Sequence, residues 1–151
     1  MCVSNGNQAE IHEVLFENIN VEFQSDTQHE VLQREDGQQY DPQGRTMPPC
    51  VIRNMVEPYA IRTANAEGIV RKKSEKFGDI HDVTYRNIYI YTDDAAMKPI
   101  IAMKTPNTEK NLRNFRLEKV YLNGEKVKDL SPFETVFENV ENVTVDGVRI
   151  Q

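Results

Sequence analysis

A parallel β-helix, an all-β solenoid of short strands, is predicted by three features of this 151-residue sequence. One template of apolar residues occurs four times. Its spacing mixes steps of two and three residues, not the threes and fours of a helix. Asn or Gly occupies the same inner position in three of the four copies.

The first copy runs Ile11, Val14, Phe16, Ile19, Val21, and the second Ile80, Val83, Tyr85, Ile88, Ile90. The third runs Leu112, Phe115, Leu117, Val120, Leu122, and the fourth Val140, Val143, Val145, Val148, Ile150. All hold apolar residues at offsets 0, +3, +5, +8 and +10. A step of two keeps successive side chains on one face of a strand. A step of three interrupts the alternation, so the template reads as short strands meeting at a corner. Its Ile, Val and Thr content suits strand. The corner position holds Asn18, Asn87, Lys119 and Gly147. Asn and Gly tolerate the left-handed conformation that a sharp bend demands. Lys119 breaks this pattern and needs either a negative φ or strain.

The copies start at Ile11, Ile80, Leu112 and Val140, so the last two spacings are 32 and 28 residues. Both suit one solenoid turn of roughly 20–45 residues. The first spacing, 69 residues, accommodates extra turns, or one turn with a long excursion. The apolar patches Cys50-Val51-Ile52, Tyr59-Ala60-Ile61 and Ile69-Val70 favour extra turns. Pro99 to Met103, and Met1-Cys2-Val3, are expected to be strands leading into the third and first copies. Gln24 to Pro49 is polar, with two Gly and three Pro. It is expected to be a long loop leaving a single domain of residues 1–151, with a short helix allowed at 29–34. The competing architecture is an antiparallel sandwich or jelly roll. Its tight hairpin signals are few: Asn123-Gly124 and Asp146-Gly147 stand out, at template ends or corners.

Composition narrows the partners. The net charge of −6 weighs against nucleic acid and anionic membranes, which both call for a basic face. No apolar run approaches the ~18 residues of a membrane span. The first residues carry no basic segment and no apolar segment of a signal peptide. The chain is therefore expected to be cytosolic, or to have had its export signal on a longer parent. The two cysteines, Cys2 and Cys50, lack neighbouring metal-ligand spacing, so no metal site and no cofactor is expected.

The segments AEIHEVLFENINVEF, GDIHDVTYRNIYIYT and NLRNFRLEKVYLNGEKV resemble the pectin-lyase-like right-handed parallel β-helix proteins, especially the polygalacturonase-type glycoside hydrolases. The resemblance covers most of the chain apart from Gln24 to Pro49. It implies a right-handed solenoid acting on an oligo- or polysaccharide, with a secreted or periplasmic parent. It says little about activity, because many chemistries share such a scaffold. That family pairs aspartates with a Gly-His-Gly and an Arg-x-Lys, and no Gly-His-Gly is present. Asp93-Asp94 are adjacent but lack the partner motif. Cys2-Val3-Ser4-Asn5-Gly6 faintly resembles the stretch just after the family's paired aspartates. The expectation is therefore a truncated stack of a few coils, the C-terminal part of a carbohydrate-active enzyme without its catalytic coils. No capping segment precedes the first copy, and the last stops at Ile150-Gln151. Uncapped ends also suggest a homo-oligomer. The alternatives are a non-catalytic carbohydrate-binding module and a structural, self-associating one.

Glycoside hydrolysis needs two carboxyl groups about 5–5.5 Å apart for retention or about 6.5–9.5 Å apart for inversion. Glu10, Glu57, Asp79, Asp82, Asp93 and Asp94 are the acidic candidates, although such groups in an acidic chain are mostly solvated surface. The catalytic residues are left unassigned. His12 and His81 hold matching template positions and could stack as a ladder, against the plainer reading of exposed turn histidines. For substrate binding, Arg53, Glu57, Tyr59 and Arg62 are the candidates. A ring stacks on a sugar face, and a forked guanidinium binds hydroxyls or carboxylates. The plainer reading of these four is an ordinary strand with a basic solvated edge.

Overall fold

In the computed structural model the described residues are 1–23, 50–58, 60–65, 68–73, 76–109 and 111–151, with the backbone alone over 60–65 and 68–73. The expected loop and helix between Gln24 and Pro49 lie outside them. In chain order the strands are β1 (Cys2–Asn5), β2 (Glu10–Phe23), β3 (Cys50–Val56), β4 (Ala60–Asn65), β5 (Gly68–Lys73) and β6 (Asp79–Thr92). They continue as β7 (Ile100–Lys104), β8 (Leu112–Leu122), β9 (Glu125–Lys126), β10 (Glu134–Glu138), β11 (Val140–Val145) and β12 (Val148–Arg149). No helix occurs among the described residues.

The protein is all-β, with two parallel sheets. One has the order β1-β3-β7-β10, and the other β2-β6-β8-β11, extended by β12. The chain visits them alternately, so each pass adds one strand to each sheet. Parallel pairing rules out the antiparallel sandwich considered from sequence.

The four templates align rank by rank. Ile11 lies opposite Ile80, and Ile80 opposite Leu112, which lies opposite Val140. Positions 0, +3, +5, +8 and +10 point inward: Ile80, Val83, Tyr85, Ile88 and Ile90 are all buried. With Val51, Ile52, Val56, Ile101 and Met103 of the first sheet they form one core.

The template bends twice, not once. The first bend places Glu13, Asp82, Asn114 and Asn142 at φ between 54° and 60°. The second does the same to Asn18, Asn87 and Lys119, at φ 52–58°. Each left-handed residue occupies a three-residue step and adds one residue that has no place in the alternation, as a bulge does. The ladder registers pass over these residues, and the inward face is restored after each. Of the ten non-Gly residues with positive φ among the described residues, eight are Asn or Asp, the types that tolerate it. Lys119 resolves to the strained alternative, at φ 52°.

Three expectations change. The 69-residue spacing holds one pass with an excursion, because β2 pairs directly with β6. The patches around Ile61 and Ile69 form an antiparallel hairpin, β4–β5, apart from both parallel sheets. The fourth template follows the others only through Val145. Asp146-Gly147, at φ 45° and 83°, turns the chain back as a hairpin, and Val148 is left exposed. Asn123-Gly124 makes a similar turn between β8 and β9. Successive left-handed residues are the signature of the tight turn that matches strand twist.

The edge strand β2 is less buried than its neighbour β6. On β2, at the edge of its sheet, Ile11, Val14, Phe16 and Ile19 are only half-buried. Their counterparts on β6 are closed off completely. Gly78, just before β6, is required by close approach: a Cβ there would lie 2.3 Å from the Ala9 carbonyl oxygen.

Candidate functional site

Residues between the inward positions project outward, and parallel in-register pairing stacks them by rank. At rank +1, the rings of His12 and His81 stack with centroids 5.3 Å apart and planes 8° from parallel. The ladder envisaged from sequence therefore forms. His81 sits between two carboxylates, with Nε2 2.8 Å from Glu10 Oε1 and Nδ1 2.6 Å from Asp82 Oδ2. These bonds raise the pKa of His81, the Glu10 bond most and the Asp82 bond next. In turn His81 draws down the pKa of Glu10 and, with Arg116 and Asn114, that of Asp82. Arg116 reaches Asp82 Oδ1 at 3.2 Å.

Ranks +4 and +6 lie between the two bends and form a short flat facet. A groove of about 350 Å³ opens there, lined by Glu13, Val14, Leu15, Asp82, Thr84, Arg86 and Arg116. Leu15 is 51% exposed, an apolar patch surrounded by hydrogen-bonding groups. Arg86 spans three strands: Nε donates to Glu118 Oε2 at 2.7 Å and its NH1 nitrogen to Glu17 Oε1 at 3.5 Å. Beyond the second bend, Tyr89 and Tyr121 stack with centroids 4.9 Å apart. The groove thus offers carboxylates, a hydroxyl and guanidinium donors around a small apolar surface.

Inside the core, Tyr85 donates its hydroxyl to Asn54 Oδ1 at 2.8 Å. Burial pushes the Tyr85 hydroxyl well up, so it stays a neutral donor. Asn54 Nδ2 has no partner among the described residues, but both side chains are sealed from solvent.

The residues singled out for sugar binding lie elsewhere. Arg53, on β3, and Glu57, just after it, are exposed on the first sheet, and neither lines the groove. Arg53 Nε donates to Met55 Sδ at 2.7 Å. Arg62 falls in β4, where its backbone lies opposite Arg71. Tyr59 lies outside the described residues. Asp82 alone of the acidic candidates lines the groove, and no motif in the chain joins it to Thr84, Arg86 and Arg116. The joining signal was the template itself, whose even outward offsets come together once the strands stack in register. Cys2 and Cys50 are both free. No cluster of metal-ligating side chains occurs among the described residues.

Comparisons with protein-family models, curated proteins and solved structures find no match.

Proposed function

We propose that this chain is a parallel β-helix module of a carbohydrate-active protein, and that it binds an oligosaccharide in the groove between the two bends of its second sheet. The solenoid reading is supported by the alternate visits to two parallel sheets and the in-register stacking of four templates. The resemblance to pectin-lyase-like proteins supports the ligand class. The observation that carries the site is the groove, where exposed Leu15 is ringed by Glu13, Asp82, Thr84, Arg86 and Arg116. A sugar ring has apolar C–H faces and a rim of hydroxyls, so it needs this mixture.

Binding is favoured over hydrolysis by these residues. A glycosidase keeps one carboxyl protonated by raising its pKa. At the groove, the bond from His81 draws Asp82 down, so Asp82 is not a proton donor near neutral pH. Any hydrolytic step in a parent enzyme is assigned to other coils. The test is a titration of isotope-labelled full chain with hexasaccharides, followed by amide NMR. Shifts centred on Leu15, Thr84, Arg86 and Arg116 support the reading; a flat response to every sugar sinks it.

A second reading, association of two copies through β2, is favoured by the half-buried Ile11, Val14, Phe16 and Ile19 on an edge strand. The outward row of that strand, Glu10, Glu13, Glu17 and Glu22, would repel an identical edge. Association is therefore expected to strengthen with salt. A sedimentation coefficient constant across concentration and salt removes this reading.

A further inference from the structure

We infer that the groove takes a neutral oligosaccharide and discriminates against polyuronates; this rests on the reading that the groove binds sugar at all. The resemblance alone would point to acidic pectic chains. The charges bordering the groove point the other way.

Recognition of a uronate uses a guanidinium fork that closes on the carboxylate through two parallel hydrogen bonds. Both guanidiniums at this groove are already paired. Arg86 binds Glu118 and Glu17, and Arg116 binds Asp82. The neighbouring Arg113 is 3.7 Å from Asp79. An incoming carboxylate would have to displace one of these partners, leaving that partner unpaired beside it. It would also meet Glu13, whose side chain is 82% exposed at the groove wall. Glu13, Glu17, Asp82 and Glu118 border Arg86, Arg116 and His81, with His12 3.5 Å from Glu13, so the four carboxylates still outnumber the two guanidiniums and the Asp82-bound imidazole on an acidic chain.

Neutral sugars meet no such barrier. Hydroxyls both donate and accept, so they can bond the free lone pairs of paired carboxylates and the remaining N–H groups of a five-donor guanidinium. Thr84 adds a hydroxyl of either sense, and Leu15 meets a C–H face.

The experiment is calorimetric titration of the full chain with xylohexaose, cellohexaose and hexagalacturonate, in low salt. At least one neutral hexamer is expected to bind at least about tenfold more tightly than hexagalacturonate, because like charges brought together across a contact are strongly rejected. Hexagalacturonate binding as tightly as, or more tightly than, both neutral hexamers overturns the inference while leaving the sugar-binding reading standing. Failure of all three to bind overturns both. The variant Glu13→Lys tests the cause: it is expected to narrow the gap severalfold by improving uronate binding. A gap unchanged in that variant overturns the electrostatic explanation, and circular dichroism confirms that the variant is folded.

Discussion

Asn142 donates from Nδ2 to Asn114 Oδ1 at 2.7 Å, although the two lie on successive passes of the chain. Asn114 in turn donates to Asp82 Oδ1 at 3.3 Å. All three hold the left-handed conformation at the first bend. The bend is thus a ladder of side chains, each bonding the next. Asn18 and Asn87 form a rung at the second bend, with Asn87 Nδ2 donating to Asn18 Oδ1 at 3.0 Å.

Asn114→Ala removes both bonds and places a Cβ-bearing residue without a polar group at φ 60°. The left-handed penalty and the lost hydrogen bonds together predict a loss of about 2 kcal/mol. Urea unfolding measures it. A loss below about 0.5 kcal/mol would show that the ladder contributes little.

Lys119 predicts the opposite sign. It holds φ 52° with a side chain unsuited to it. Lys119→Asn is expected to stabilise by about 1 kcal/mol, the left-handed penalty relieved, and to raise Tm by about 2–4 °C. The Lys119 amide donates to Asp146 Oδ1 at 2.9 Å, and an Asn backbone keeps that bond. No rise in Tm would mean that the bend is not strained by lysine.

Equal ranks should not be equal in energy. Ile80 is fully buried, whereas Ile11, directly opposite on β2, is half-buried. Ile80→Ala is expected to cost about 2–5 kcal/mol, with cavity and transfer terms both present. Ile11→Ala should cost less than about half as much, because solvent already reaches the site. Similar losses for the two variants would mean that the β2 face is covered in solution, and would lend weight to self-association.

The histidine between two carboxylates sets a pH window. His81 has a raised value, so its stabilisation is complete below its ordinary value of 6.5 and fades as pH climbs through the raised one. Glu10 and Asp82 have lowered values, so theirs is present above 4.5 and 3.8 and fades as pH falls through the lowered ones. The stability gap between the native chain and His81→Gln should therefore be widest from pH 4.5 to 6.5, shrinking on either side. The stacked His12 ring and Arg113 face the same imidazole and temper the size of the gap, not its sign. Denaturant midpoints across pH check this, and a gap constant from about pH 4 to 9 contradicts it.

Residue spacing along the chain was enough to define the strand character and the inward set. Offsets 0, +3, +5, +8 and +10 survive in the first three copies, and 0, +3 and +5 in the fourth, because apolar spacing and burial are one fact seen twice. The second bend was legible where Asn18 and Asn87 mark it. The first bend was not, because Glu13 begins the series and masks the Asp and Asn residues at Asp82, Asn114 and Asn142. The hairpin at Asp146-Gly147 was readable as a turn, but its apolar spacing imitated one more template. That the 69-residue spacing is a single pass could emerge only in three dimensions, since pairing between β2 and β6 is a contact between distant segments. The groove is likewise a product of tertiary contacts. Glu13, Thr84 and Arg116 come from three passes of the chain, and only the in-register stacking of parallel strands, about 4.8 Å apart, makes neighbours of them.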